Sequence, residues 1–227
     1  MKVSNPLAQS IDAANKLTAN DKTIEDALSK VASSLNCKKV TDYLKVLPSA
    51  LTPEIVTILE NLVSRTPQAA YIYGAILSNE PDDLARRLRG AKLIVQADAS
   101  KFIVPNIALG KAHYQLGDSL LNETDYKKNE MGAKHMIEAA KKEYEPAFHR
   151  AAKLYEAGNY GIGEDFFEAY KWLVIAAART KDMEQQNVIN SAKAAFESTH
   201  RGDWVKEGQV RAKDQMDRWD KAKVKPV

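Results

Sequence analysis

Apolar residues recur along this chain at the spacing of helix turns. In TIEDALSKVASSL they fall at Ile24, Leu28, Val31 and Leu35, one face of a helix. A second, short helix is expected from Val40 to Leu47. LTPEIVTILENLV opens a third. Thr52 caps it, Pro53 occupies the first turn where its missing N–H costs nothing, and Glu54 sits beside the positive helix end. Ile55, Ile58, Leu59, Leu62 and Val63 then make its buried stripe. No period-two alternation bounded by hairpin turns occurs, so the pattern predicts an all-α chain.

The pattern also repeats. Prolines open three similar helical segments at Pro67, Pro105 and Pro146, 38 and 41 residues apart. A second landmark follows each: GAKLIVQAD from Gly90, GAKHMIEAA from Gly132 and EAYKWLVIAA from Glu168. Aligning Ala91, Ala133 and Ala169 superposes the apolar and small positions. Each unit therefore reads as a helix pair, with an insertion in the middle unit around Asn122 to Asn129. In the third unit Ala147, Ala151, Leu154 and Tyr155 share one face of the first helix. Ala169, Trp172, Leu173 and Ala176 share one face of the second. Small alanines let the backbones approach while Trp172 and Tyr155 fill the remaining volume.

Gly158, Gly161 and Gly163 invite comparison with a phosphate-binding loop. Such loops need a strand before the glycines and a helix after them. Here a helix precedes them, the spacing is G-x-x-G-x-G, and no Gly-Lys-Ser/Thr follows. The expectation is a turn. Gly158 ends one helix in a left-handed conformation, Gly161 and Gly163 turn the chain, and Asp165 caps the next helix.

Tyr155-Glu-Ala-Gly158, Gly161-Ile-Gly163, Asp165, Ala169-Tyr-Lys-Trp172 and Ala176-Ala177 together resemble a Sel1-like repeat, a tetratricopeptide-like helix pair. The third unit departs from that pattern by having Ala151-Ala152 where Leu-Gly is usual. The first keeps Gly74 but has Leu77 at the tyrosine position. The second keeps Tyr114 and Gly117, with LGKAHY one residue longer than the pattern. The resemblance covers residues 67 to 222. It implies a right-handed α-solenoid of antiparallel helix pairs, with three repeats over 67–180 and C-terminal capping helices with a basic tail over 181–227; residues 1–66 lie outside the resemblance and are expected to be helices packed on its N-terminal end. Trp204, Met216 and Trp219 would cover the last repeat.

Composition narrows the function classes. The 44% hydrophobic content can fill a core, and 28% charged residues suit a globular chain. A formal net charge of +3, from 33 basic and 30 acidic residues, is too balanced to suggest nucleic acid. No apolar stretch approaches the roughly 18 residues of a membrane span. MKVSNPLAQSIDAANKLT has no apolar signal region, so the expectation is a cytoplasmic protein, or a periplasmic one if the chain is a mature exported form. Cys37 is the single cysteine; Lys38 and Lys39 beside it are of the kind that lower a thiol pKa, against an inert helix-end residue.

Candidate chemistry is sparse. His113, His135, His149 and His200 lack the spacing of a zinc site, although His113 and His149 fall on the first helices of neighbouring units. Asp82-Asp83 and Glu164-Asp165 sit at helix starts, where capping explains them. ARRLRGAK gathers Arg86, Arg87, Arg89 and Lys92, either a docking patch or a solvated face. No catalytic, cofactor or metal residue is expected. The resemblance implies a non-enzymatic adaptor that uses a concave groove, of a kind found in bacterial envelope, secretion or signalling complexes. The partner-binding candidates are Tyr71, Lys111, His149, Arg150 and Lys153, assigned to the non-core face of each first helix. The expected partner is a protein acidic at its contact surface. An immunity protein for a bacterial toxin and a cell-wall-directed enzyme are the alternatives. Far-ultraviolet circular dichroism should report a predominantly helical chain, and a strand content above about a fifth, near the globular average, would defeat the reading.

Overall fold

A computed structural model describes residues 21–224. The N-terminal stretch through residue 20 and the last three residues of the basic tail lie outside the described residues. Ten α-helices and three 3₁₀ turns occur among the described residues, with no strand. Contacts divide the chain into two compact units, residues up to Gln115 and residues from Leu116.

In the first unit α1 spans Asp21–Ser34 and buries Leu28 and Val31, with Ile24 and Leu35 half-buried. The expected helix at Val40 is a 3₁₀ turn, Val40–Lys45. Leu47 precedes Pro48 and is held extended, which stops the helix before it can lengthen. Next come α2 (Pro53–Leu62), α3 (Pro67–Leu77) and α4 (Leu84–Ala99). Thr52 caps α2 by accepting the Ile55 amide, and Asp83 caps α4 by accepting the Arg86 amide. Both α3 and α4 tie back to α2 through Glu60, which accepts from Tyr73 of α3 and Arg89 of α4.

Helix α5 runs Asn106–Leu121, followed in the second unit by α6 (Tyr126–Lys141). A 3₁₀ turn, Glu145–Ala147, then leads into α7 (Phe148–Ala157), and α8 (Phe166–Arg179), α9 (Met183–Thr199) and α10 (Gly202–Val224) complete the unit. Gly158 closes α7 at φ 62°, its amide bonded to the Leu154 carbonyl, and Asp165 caps α8 through the Glu168 amide. The glycine stretch is thus a turn between helices. Ala151, Ala152 and Ala169 are fully enclosed, so α7 and α8 meet through alanines. Phe148 stacks on Trp172 and Trp219, each at 5.9 Å between ring centroids. Trp219 is buried, whereas Met216 and Trp204 are half-buried, Trp204 lying on Phe166 at 4.5 Å.

Two helix pairs cross at glycines. A Cβ on Gly74 would stand 2.7 Å from the Gly90 carbonyl oxygen, and one on Gly90 would stand 2.6 Å from the Ser78 nitrogen. In α5 and α6 a Cβ on Gly117 would meet the Gly132 carbonyl oxygen at 2.9 Å, and one on Gly132 the Leu121 nitrogen at 2.9 Å. Residue 74 faces 90 and 94 while 78 faces 90, so α3 and α4 are antiparallel; 117 against 136 and 121 against 132 give the same for α5 and α6.

This crossing corrects the register of the middle pair. The spacing of Tyr114 and Gly117 matches that of Tyr155 and Gly158, which would put Gly117 at the end of a first helix, but Gly117 lies at the crossing, as Gly74 does. Gly90 follows Gly74 by 16 residues and Gly132 follows Gly117 by 15, so no insertion lies at 122–129. The extra length precedes the crossing, at the start of α5. Gly90→Ala should lower stability by about 1–3 kcal/mol, because the methyl meets main-chain atoms that cannot rotate away. Gly163→Ala, with nothing within 4 Å of its Cβ, is the control. Equal urea midpoints for the two variants would show that the crossing tolerates a side chain.

Candidate functional site

The side chains proposed for partner contact fall in different environments. Tyr71 is 0% exposed. Its hydroxyl donates to the Val40 carbonyl at 2.9 Å and its ring lies 5.6 Å from Phe102. It belongs to the core, because α3 is enclosed on nearly every side: the run from Ala69 to Leu77 is buried throughout. Tyr71 is therefore removed from the candidate surface. Lys111 also lies in the first unit, half-buried, with its ammonium donating to Asn79 Oδ1 at 2.7 Å.

His149, Arg150 and Lys153 come together on α7 in the second unit. The helix starts on a 3₁₀ turn because Pro146 suits a first turn, and the stripe Phe148, Ala151, Ala152 and Leu154 turns inward. The other face carries the three polar residues. On one side of it a cleft of about 450 Å³ is lined by Glu145, His149, Arg150, Asp182, Val188 and Ile189, among others. On the other side a cleft of about 290 Å³ is lined by Asn122, Arg150, Lys153, Asn159 and Tyr160, among others. Arg150 borders both.

His149 Nε2 is buried without a hydrogen-bond partner. Burial, and then the positive charge of Lys153, push its imidazole below the ordinary histidine value. The neutral ring thus lines the larger cleft with one enclosed polar atom left unsatisfied. Arg150 is committed to an ion pair with Asp118 of α5, 32 residues earlier. Lys153 is exposed and has no ion pair among the described residues. Asp182 caps α9 through the Gln185 amide, and Glu145 accepts the Lys181 amide, so two of the carboxylates at the larger cleft brace its wall. The second cleft has no carboxylate in its lining.

Sequence reasoning missed the α9 wall. Val188 is 54% exposed and Met183 73% exposed, while Ile189 and Phe196 carry the buried stripe of that helix. Two apolar residues outside the stripe were the available signal. The Asp118 partnership had no signal, since nothing local links it to Arg150.

The remaining candidates have structural roles. Arg86 pairs with Glu80 and Arg89 with Glu60, as expected of a solvated face tied to neighbours. Burial, and next Asp42, push the Cys37 thiol up, opposite to what activation by Lys38 and Lys39 requires. Among the described residues no group of three or more histidine, cysteine, aspartate or glutamate side chains can hold a metal ion. No described helix is long and apolar enough to cross a membrane. No protein-family model matches the chain, and neither does any curated protein.

The histidine environment gives a pH test. His149 and His135 are both held below the ordinary value by burial, a nearby Glu138 opposing the shift at His135. As pH falls past the unfolded value near about 6.5, the unfolded chain takes up protons first and stability declines. It declines further until the lower folded values are passed. His149→Gln should therefore shrink the fall in urea midpoint between about pH 7.5 and 5.5. An unchanged fall would show that His149 titrates as it does in the unfolded chain.

Proposed function

We propose that this chain is a non-enzymatic protein-interaction scaffold whose contact surface is the outer face of α7 with the adjoining wall of α9. The reading rests on one observation: the unpartnered, buried Nε2 of His149 at the edge of a cleft that also has exposed Val188. An apolar residue of a partner segment would seat against Val188 and Ile189, and a main-chain or side-chain group would satisfy His149. The segment would pass Arg150 toward the second cleft, where Lys153 meets an acidic residue. Arg150 would then serve as a fixed post, its guanidinium already oriented by Asp118.

A right-handed Sel1-like solenoid is part of this proposal, and the paired helices are what favour a repeat array. Two successive antiparallel pairs with the same glycine crossing are the kind of unit from which repeat arrays are built. Adaptor use follows from that resemblance, and an envelope, secretion or signalling complex is the proposed setting.

Charge reversal at Arg150 is a poor test, since it would set two carboxylates against each other. Lys153→Glu and Val188→Asp change only exposed positions. A partner recovered by affinity capture with the unmodified chain should bind Lys153→Glu at least about tenfold more weakly, about 1.4 kcal/mol, with helix content unchanged. Val188→Asp should weaken it as well. Unaltered affinity of both variants would move the contact off this face. Turnover of a cell-wall or ester substrate, abolished by one carboxylate substitution, would replace the scaffold reading with an enzyme.

A further inference from the structure

The first unit holds a third cleft, of about 460 Å³, whose charge is unbalanced. Lys45 ends the 3₁₀ turn at its rim, Arg87 comes from the first turn of α4, and Lys111 comes from α5. None of the three forms an ion pair among the described residues. The one carboxylate in the lining, Glu80, is occupied by Arg86 at 2.9 Å.

Two of the cations, Arg87 and Lys111, are held in place by uncharged groups. Asn79 Nδ2 donates to the main-chain carbonyls of Leu44 and Val46, at 2.8 and 3.0 Å. That fixes the amide, so its oxygen must face the Lys111 ammonium. Arg87 Nη1 donates to the carbonyls of Glu80 and Pro81. Carbonyls orient these two side chains without neutralising them. Burial, and after it the neighbouring Arg87 charge, lower the Lys111 pKa, the mark of two cations confronting each other in a partly dehydrated place. An anion between them offsets both the lost hydration and the repulsion.

The floor adds a second requirement. Gln115 Nε2 donates to the Ser78 carbonyl at 3.1 Å, which fixes the orientation of its amide. Its Oε1 is buried and has no hydrogen-bond partner. A ligand that fits must therefore carry negative charge for the cations and also one donor for Gln115. A simple carboxylate has no donor to offer. Hydrogenphosphate has two negative charges and one hydroxyl. A phosphate ester has the charge, and its carrier can supply the hydroxyl; the cleft is larger than a phosphate group alone.

We propose that this cleft is a phosphate-binding site, in which Lys45, Arg87 and Lys111 hold the oxyanion and Gln115 accepts a hydroxyl from it or from the molecule that bears it. The phosphate oxygens would accept charge-assisted hydrogen bonds from the ammonium and guanidinium donors left free by Asn79 and the loop carbonyls.

Titration calorimetry of the full chain at neutral pH tests this with inorganic phosphate, glycerol 3-phosphate, sulfate and acetate. One of the two phosphates should bind saturably with a Kd below about 1 mM, more weakly as salt is raised. Acetate should bind at least about tenfold more weakly. Binding of inorganic phosphate assigns the site to the free ion, and binding of glycerol 3-phosphate alone assigns it to an esterified carrier. Lys111→Gln and Arg87→Gln should each weaken binding about tenfold or more. Lys45→Gln touches neither Asn79 nor the loop carbonyls, so it reads the charge alone should the other variants lose their fold. Gln115→Leu should abolish the preference for phosphate over sulfate, and Lys213→Gln, at an exposed lysine of α10 far along the chain, should change nothing. Failure of both phosphates to bind, binding that survives all three cation variants, or sulfate bound as well as phosphate by the unmodified chain would each overturn the proposal.

Discussion

The distance between paired helix backbones is the constraint on which the α3–α4 and α5–α6 pairs depend. At Gly74 with Gly90, and at Gly117 with Gly132, main-chain atoms occupy the space that a Cβ would need. Interaxial separation in helix packing is set by the side chains at the contact, so removing both lets the axes close to the lower end of the range. Everything further along each pair follows from that closeness. Ile94 packs directly against α3 and Met136 against α5, both fully enclosed. The α7–α8 pair solves the same problem with alanines and then fills the wider space with Phe148 and Trp172.

Local chemistry was legible in the sequence. Thr52, Asp83 and Asp165 cap the helices expected of them, and Gly158 takes the left-handed conformation assigned to it. Each depends on a side chain and an amide a few residues apart, and a sequence displays that directly. The register of the middle pair was not legible. Gly110 and Gly117 stand seven residues apart on one helix, nearly the same face, and a pattern match cannot choose between them. Only the partner helix distinguishes the glycine at the crossing.

The site was half legible for the same reason. His149, Arg150 and Lys153 lie off the apolar stripe of α7, and periodicity alone places them on one side. Tyr71 lies on a helix whose polar face is missing, because neighbours cover it all round, so periodicity had nothing to separate. The commitment of Arg150 to Asp118, and of Lys111 to Asn79, joins residues 32 apart in each case. Those contacts decide which charges are available and which are already spoken for.

The placement of the aromatic residues has an optical consequence. All three tryptophans, Trp172, Trp204 and Trp219, lie in the unit that begins at Leu116. Two are enclosed against Phe148 and the third is half-covered by Phe166. Intrinsic tryptophan emission therefore reports the second unit alone. A label placed in the first unit is needed to see it, because tyrosines lie in both units. Comparing the two signals through one denaturation distinguishes a chain that melts as a whole from one whose halves melt separately.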